Sequence, residues 1–292
     1  MKDQFTKGIL LTSLGSFWWG FIGVIYFEYV SFIGHIELVV HRCIWTAVML
    51  ILTTSFFSKW NIFKLIIKNK KKLLALFLSG LLIFINWAVW IYAVASERII
   101  DASFGYFIMP IISVMLGYIF FKEKLNNKRL LSVILVLVSI LILVLFNLKS
   151  LPWVGLIVAL SWAFYNLVRK MINIDTDIGL LIESLFILPF ALIVFYLIAQ
   201  NGYNDFNFSN PTFSLFLVLA GPMTVIPLFL YVRGVELIGL GPTGMIFYIT
   251  PTLQFILGYF YYNEVFSLVK LVSFIIIWIA VIIYLKDLYE AN

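Results

Sequence analysis

The sequence predicts an all-α polytopic membrane protein with ten transmembrane helices in two inverted five-helix repeats. The 292-residue chain is 63% hydrophobic and only 12% charged, whereas soluble domains average about 25% charged residues. Ten apolar runs are each long enough to cross a bilayer, which takes roughly 20 residues in a helix. One of these runs recurs in altered form at an offset of 141 residues, so the chain contains an internal repeat.

The apolar runs define the spans in chain order. Their length and their lack of polar–apolar alternation favour helices over barrel strands. Short connections leave no room for an inserted soluble domain; the longest are the basic segment 58–73 and the Gly/Asn/Pro-rich segment 200–212. The predicted spans cover residues 8–28, 35–57, 74–95, 101–121, 130–148, 152–171, 178–199, 213–233, 241–262 and 267–286.

Basic residues collect in every second connection, which predicts how the chain is oriented. Cytoplasmic loops are enriched in Lys and Arg, and most of the 20 basic residues fall on the side that holds both termini if the number of spans is even. We therefore predict cytoplasmic N- and C-termini. The basic residues in the spans or on the outer side are Arg42, Arg98, Lys149 and Lys270.

The internal repeat relates span 4 to span 9. Residues 104–125 match residues 245–266, and the two copies are separated by five spans. An odd number of spans turns the second copy upside down, so we predict inverted halves at residues 1–148 and 152–292, as in alternating-access transporters. The matched residues are Pro110 with Pro251, Gly117 with Gly258, Tyr118 with Tyr259, and Glu123 with Glu264. The two glutamates are expected to be helix-end or loop anchors rather than binding groups.

The matched prolines predict equivalent kinks in the two halves. Pro110 and Pro251 each remove a helix hydrogen bond and clash with the carbonyl four residues earlier, at Tyr106 and Phe247. Lipid cannot satisfy a freed carbonyl, so each must face protein or a water-filled cavity. Paired kinks of this kind point to a binding site at the midplane. The alternative is that both prolines are structural.

Span 2 carries a charged cluster near the outer surface. Glu37, His41 and Trp45 are four residues apart and share a helical face, with Arg42 beside them. One interpretation is an outer gate or an anchor for a substrate carboxylate, since Arg binds carboxylates through two hydrogen bonds. The other is a structural pair between Arg42 and Glu37, with the arginine reaching toward the interface.

Span 7 carries an ionisable residue near the inner surface. Glu183 lies opposite His41 when the halves are aligned, and Arg169 and Lys170 end span 6 on the same side. We expect these groups and the span 2 cluster to act as alternating inner and outer latches. His41 or Glu183 is also a candidate carrier of a coupled proton.

Aromatic and amide residues near the two prolines are candidates for lining a substrate cavity. Small-molecule sites combine apolar walls with a few polar groups. For most single aromatic residues, ordinary packing is the competing interpretation. The candidate substrate-binding residues are Asn86, Trp87, Trp90, Tyr106, Phe107, Tyr165, Asn166, Tyr248 and Gln254.

No motif indicates an enzyme or a cofactor. The chain lacks a P-loop, an HExxH and a GxSxG sequence. The single cysteine, Cys43, excludes an intrachain disulfide and a cysteine-based metal site. His35 and His41 are six residues apart, a spacing that does not favour a shared metal ion.

Several stretches together resemble the drug/metabolite transporter superfamily, and most closely its RarD-type branch of ten-span proteins with two EamA-type repeats. They include SFWWG (16–20), IELVVHRCIWT (36–46), NWAVWIYAV (86–94), DASFGYFIMP (101–110) and LIESLFILP (181–189). The resemblance implies a central cavity and a secondary carrier that does not use ATP. It implies no single substrate, because relatives move amino acids, nucleotide sugars, drugs and other metabolites. Thr46 stands where many relatives have Ser, and the hydroxyl is kept.

The expected function is secondary transport of a small metabolite, such as an amino acid, or of a drug across the bacterial cytoplasmic membrane, with export favoured by family analogy. The expected partners are the substrate, membrane lipid and, if transport is coupled, a proton; no nucleic acid is expected. The chain is expected to be a monomer or a homodimer. The alternatives are a flippase for lipid-linked substrates and a non-transporting receptor or scaffold.

Overall fold

The computed structural model describes residues 2–95, 99–147, 153–207, 211–261 and 268–291, and all regular structure within these ranges is helical. The first helix passes through a π-helical turn, Trp18–Ile22, between α1 and α2. The helices are α1 (Lys2–Phe17), α2 (Gly23–Tyr29), α3 (His35–Phe56), α4 (Trp60–Lys68), α5 (Lys70–Ala95), α6 (Ile99–Phe121), α7 (Asn127–Asn147), α8 (Trp153–Ile172), α9 (Thr176–Gln200), α10 (Pro211–Ile238), α11 (Leu240–Ile246), α12 (Ile249–Phe260) and α13 (Leu268–Glu290).

The predicted class, an all-helical polytopic membrane protein, is confirmed. Eight helical segments of the described chain are long and apolar enough to cross a bilayer. They correspond to predicted spans 1 to 3, 5 to 8 and 10. Predicted span 4 is represented by the shorter apolar segment Gly105–Phe121, and predicted span 9 is divided between α11 and α12. The total of ten spans therefore stays a prediction.

The basic connection between spans 2 and 3 contains a helix that the sequence analysis treated as a loop. Helix α4 is amphipathic: Ile66 is buried against Leu76, Ile178 and Ile182, whereas Lys64 and Leu65 are exposed. A short helix of this kind suits the membrane–water interface.

The most extensive helix packing joins the first half of the chain to the second. Helix α1 packs on α10 and α5 packs on α8; α3 packs on α10 and α5 on α9; α6 packs on α8, while the π-helical turn and α1 pack on α12. These pairs are related by an exchange of the two halves, in which each span is replaced by the span five places away. The exchange turns the pair of α1 and α10 into the pair of α8 and α5, and it relates the other pairs in the same way. Three further pairs, α3 with α9, α6 with α11 and α7 with α13, join a span to its own counterpart.

The spans that contain Pro110 and Pro251 differ in the structure, although the sequence predicts equivalent kinks. Helix α6 continues through Pro110, whereas the ninth span turns at Phe247 and Tyr248, before Pro251. Pro251 then lies in the first turn of α12, where a missing N–H has little cost. The Phe247 carbonyl accepts the Thr250 N–H at 2.9 Å, so the tighter turn satisfies it within the chain.

Glu123 fixes the start of α11 and is a helix-end anchor, as predicted. Gly239 has φ of +97°, a conformation that favours glycine, and α11 begins at the next residue. The backbone N–H groups of Leu240 and Gly241 donate to the Glu123 carboxylate at 2.8 and 2.9 Å. Its predicted counterpart, Glu264, lies outside the described residues, as do Arg98 and Lys149.

A glycine in α10 sets the distance between α10 and α3. A Cβ atom on Gly221 would lie 2.6 Å from the backbone oxygen of Trp45. We expect Gly221→Ala to force these helices apart and to lower the unfolding free energy by about 1–3 kcal/mol, despite alanine's higher helix propensity. Thermal unfolding of the purified protein in detergent measures the change. Gly34→Ala is the control, because a Cβ there meets no atom within 4 Å; equal unfolding temperatures for both variants would contradict the prediction.

Candidate substrate site and its charged ends

A cluster of aromatic rings occupies the middle of the bundle. The Trp19 ring lies 5.3 Å from Trp162, 5.7 Å from Tyr231 and 6.2 Å from Phe247. These residues come from the π-helical turn, α8, α10 and the turn between α11 and α12. We call Trp19, Trp162, Tyr231 and Phe247 the central aromatic cluster.

Several predicted binding residues extend this cluster. Tyr106 lies 5.8 Å from Phe247 on one side and 5.8 Å from Trp90 on the other. Tyr165 lies 5.7 Å from Trp162. The predicted residues Trp90, Tyr106 and Tyr165 are therefore joined through rings that the sequence analysis did not select.

Two predicted binding residues lie elsewhere. Tyr248 donates its hydroxyl hydrogen to the Phe107 carbonyl at 2.7 Å, and the Phe107 ring lies 5.5 Å from Phe274 of α13. Successive helical residues point about 100° apart, so Phe107 faces α13 while its neighbour Tyr106 faces the central aromatic cluster. Gln254 is half-buried in α12 and makes no hydrogen bond with the described part of the chain.

The two predicted amide side chains bind helix backbone. Asn86 of α5 donates to the Val158 carbonyl at 2.9 Å and to the Ser161 hydroxyl at 3.1 Å, which ties α5 to α8. Asn166 donates to the Trp162 carbonyl at 2.9 Å. Its own side-chain oxygen is buried without a hydrogen-bond partner, so it is the amide with unused bonding capacity.

We call the end of the bundle next to the basic connection 58–73 the basic end. It holds a buried ion pair between α8 and α9. Arg169 Nε lies 3.6 Å from Glu183 Oε1, and both side chains are almost fully buried. Glu183 also accepts hydrogen bonds from Ser79 at 2.5 Å and from Tyr165 at 3.2 Å. The predicted inner pair thus connects α5, α8 and α9, and Tyr165 links it to the central aromatic cluster.

Further ionic contacts at the basic end join the same helices to α10. Arg169 lies 3.9 Å from Glu236 of α10 and donates to the Thr176 carbonyl at 3.1 Å. Thr176 in turn donates to Glu236 at 2.9 Å. We call Arg169, Glu183 and Glu236 the inner charge cluster.

Lys59, after α3, extends the ionic contacts at the basic end toward α9. It lies 2.7 Å from Asp177 and 3.4 Å from Asp175. Partial burial by itself lowers the pKa of Lys59, but hydrogen bonding and attraction to the two carboxylates outweigh it, so the pKa is raised above its ordinary value. Lys59 therefore stays charged at neutral pH and holds α3 to α9.

At the opposite end, Glu37 holds a loop. Its carboxylate accepts the backbone N–H groups of Asp205 at 2.9 Å and of Phe206 at 3.2 Å. His41 Nε2 lies 3.5 Å from the same carboxylate, and Trp45 donates to His41 Nδ1 at 3.2 Å. The alternative in which Glu37 pairs with Arg42 is wrong: within the described chain their charged atoms do not come within 4 Å. The backbone N–H groups of the loop donate the hydrogen bonds to Glu37 that the guanidinium would have donated in that pair.

The Phe206 ring covers this cluster. It lies 5.1 Å from the His41 ring and 6.1 Å from the Trp45 ring. The sequence analysis recognised residues 200–212 only as a long connection, and nothing in their composition indicates that their backbone binds Glu37.

Arg42 has a different environment from the other charged residues of the bundle. Its Nε donates to the Thr224 hydroxyl of α10 at 3.2 Å. The guanidinium carbon lies 5.0 Å from the Trp87 ring centre and 5.4 Å from the Phe27 ring centre. No carboxylate of the described residues lies within 4 Å of it.

A small cavity lies between Arg42 and the inner charge cluster. Its volume is about 20 Å³, which is room for about one water molecule. The lining includes Cys43, Thr46, Trp87 and Glu183. In this conformation the interior between these residues is closed to a substrate.

The central residues that sequence reasoning missed are aromatic or contact a buried or half-buried charged side chain. The stretch SFWWG, quoted for the family resemblance, contains Trp19, but composition alone cannot say which rings face inward. Ser79, Thr224 and Glu236 carry no sequence signal, since their role depends on which helix lies opposite. Within the described chain no three His, Cys, Asp or Glu residues are grouped to hold a metal ion.

Comparison with known proteins gives one family. Residues 6–145 match the EamA-like transporter family. Protein RarD of Salmonella typhi is 35% identical over 284 residues, 97% of this chain and 96% of that protein. The uncharacterized transporter YojE of Bacillus subtilis is 34% identical over 281 residues, 95% of this chain and 93% of that protein. One crystal structure superimposes with a TM-score of 0.72 at 12% identity, covering 95% of this chain and 96% of that one, and so shares the fold.

The fold and these matches define an integral protein of the bacterial inner membrane. The chain belongs to the EamA-like transporter family of the drug/metabolite transporter superfamily. Its similarity over nearly the full length to RarD proteins is consistent with the RarD branch.

The buried ion pair gives a stability prediction. Glu183→Gln keeps the shape of the side chain but leaves Arg169 with only Glu236 at 3.9 Å. Removing one partner of a buried pair costs roughly 3–5 kcal/mol, and we expect a loss near the lower figure in chemical denaturation in detergent.

The control for this prediction is Glu290→Gln, which removes the half-exposed partner of Lys128 and should cost less than about 1 kcal/mol. Adding Arg169→Gln to Glu183→Gln should restore part of the loss, because the unpaired buried cation is then gone. A Glu183→Gln variant as stable as the wild type would contradict the prediction.

Proposed function

We propose that this protein is a secondary transporter that carries a small metabolite, such as an amino acid, or a drug across the inner membrane by alternating access, with export favoured. The observation that carries the proposal is the contrast between the two ends of the bundle. The basic end is held by buried ion pairs, the opposite end by hydrogen bonds to a loop, and the central aromatic cluster lies between them. Two separately held ends are what a carrier needs to open one side at a time.

The two inverted halves, residues 1–148 and 152–292, are part of this proposal. The helix pairings support it, because exchange of the halves turns each major pairing into its counterpart or into itself. A second sign is an offset of 141 residues between Gly80 and Gly221: a Cβ on either would meet backbone, of Glu183 at 3.4 Å and of Trp45 at 2.6 Å. Equivalent glycines thus lie where α5 faces α9 and where α10 faces α3, and at Gly221 an added Cβ would force the two helices apart.

The inner charge cluster and Glu37 are the proposed latches. Each joins helices that must separate if its end opens: Arg169 and Glu183 join α8 to α9, and Glu37 joins α3 to the loop before α10. Glu183 and His41 are the proposed sites for a coupled proton, and facilitated diffusion without a proton is the alternative.

The transport test uses purified protein in proteoliposomes and a labelled panel of amino acids, other small metabolites and chloramphenicol. We expect transport of at least one member, and Trp162→Ala should slow it about tenfold, equivalent to ~1.4 kcal/mol of lost interaction. The matched control is Phe56→Ala, which removes an aromatic ring that is 82% exposed at the end of α3. Equal transport by both variants would remove the central aromatic cluster from the pathway, and no transport across a broad panel would contradict the proposed function.

A further inference from the structure

Arg42 stands apart from the other arginines that the structure describes. Arg129 lies 2.8 Å from Asp287, Arg233 lies 2.7 Å from Glu236, and Arg169 faces Glu183. Arg42 has no carboxylate within 4 Å in the described chain. Three arginines are therefore neutralised by the protein, and the fourth is not.

The position of Arg42 makes this costly. The residue lies in the third turn of α3 and is surrounded by Phe27 of α2, Trp87 of α5 and Thr224 of α10, so it faces the bundle interior. A charge inside a membrane is expensive and normally has a functional reason. Contacts with two aromatic faces offset only part of this cost.

The contacts of Arg42 orient its guanidinium. Thr224 donates its own hydroxyl hydrogen to the Ala220 carbonyl at 2.8 Å and accepts Arg42 Nε at 3.2 Å. The hydrogen bond to Thr224 fixes the Nε side of the guanidinium. Its two terminal nitrogens donate to no acceptor in the described chain. The residue is half-buried, and its terminal nitrogens, unlike Nε and Nη1 of Arg169, are not among the buried atoms that lack a partner. Two parallel N–H donors match the two oxygens of a carboxylate.

The surroundings of the guanidinium suit a flat molecule with one negative charge. Trp87 and Phe27 flank it, and Tyr106, which continues to the central aromatic cluster, is close enough to interact with its charge. Flat unsaturated groups pack well against such rings. Trp45 donates to Nδ1 of the neighbouring His41, and His41 Nε2 lies 3.5 Å from Glu37. Arg42 is the positive charge that the described contacts place among Phe27, Trp87 and Thr224, which matches a single negative charge.

We propose that Arg42 binds the carboxylate of the transported molecule, and that the substrates are small organic monoanions, including zwitterions, with a flat apolar body. This inference rests on the proposed transport function and names its substrate class.

The test measures the direct binding of probe molecules to the purified protein in detergent. Calorimetry and tryptophan fluorescence are the two readouts. The probes are acids and their matched amides: benzoate with benzamide, phenylacetate with phenylacetamide, and L-phenylalanine with L-phenylalaninamide. Every probe is measured at the same sodium chloride concentration. We expect at least one acid to bind the wild type about tenfold more tightly than its amide, as a charged bidentate hydrogen bond allows. Equal or absent binding of acids and amides across the panel would overturn the proposal.

Variants separate a binding role of Arg42 from a structural one. Arg42→Gln should lose the preference for the acid, and Arg42→Lys should keep a reduced preference because it retains the charge without the fork. Thr224→Val should weaken acid binding several-fold while the charge remains. If Arg42→Gln unfolds, the Arg42→Lys and Thr224→Val variants still test the proposal. The proposal would be overturned if acid binding were unchanged in both of these variants, or unchanged in a folded Arg42→Gln.

The failure of this inference and that of the proposed function are distinguishable. Acid binding that depends on Arg42, with no transport of the same acid in proteoliposomes, would leave the binding site standing and contradict the transport function. Transport of neutral panel members that does not depend on Arg42 would support the transport function and contradict the Arg42 binding site.

Discussion

A guanidinium inside a membrane needs compensation for its charge, and the two arginines in the core of this bundle receive it in different ways. Arg169 is fully enclosed and faces Glu183 and Glu236, which come from other helices. Arg42 has aromatic faces and one hydroxyl. Because an unpaired buried charge is so unfavourable, the first arrangement holds α8, α9 and α10 together. The second leaves a cation to be neutralised from outside the chain.

The aromatic side chains connect these two charges. Rings run from Trp90 through Tyr106 and the central aromatic cluster to Tyr165, whose hydroxyl bonds Glu183. Packed aromatic groups have discrete arrangements rather than a continuous range, so a shift at one end requires a rearrangement at the other. In the proposed transport cycle, this is the physical link between occupation of the Arg42 site and release of the inner charge cluster.

Sequence reasoning found most of the elements and the charged residues, but only some of the partners of those residues. Span length and hydropathy depend on local composition, so the helical class and most spans were predictable. Glu183 and Arg169 were paired correctly because both lie at the same membrane depth. Glu37 was not, since its partners are backbone N–H groups of a distant loop that has no sequence signature. Phe107 and Tyr248 lie outside the central aromatic cluster, because sequence reasoning gives the depth of a residue along a helix but not the direction its side chain faces. Their role in substrate binding stays a prediction. The ninth span is broken at Phe247 and Tyr248, before Pro251, whereas α6 continues through Pro110, and the matched sequences do not distinguish these two outcomes.

The central claim is that the inner charge cluster keeps the basic end closed, and Cys43 offers the most direct measurement. It is the chain's only cysteine, is 3% exposed and lines the small cavity above Glu183. Its rate of reaction with a membrane-impermeant thiol reagent, measured in inside-out and right-side-out vesicles, reports which end opens. The account predicts slow labelling in the wild type and, in Glu236→Gln with Arg169→Gln, faster labelling from the cytoplasmic side alone. An unchanged rate, or an equal increase from both sides, would contradict it.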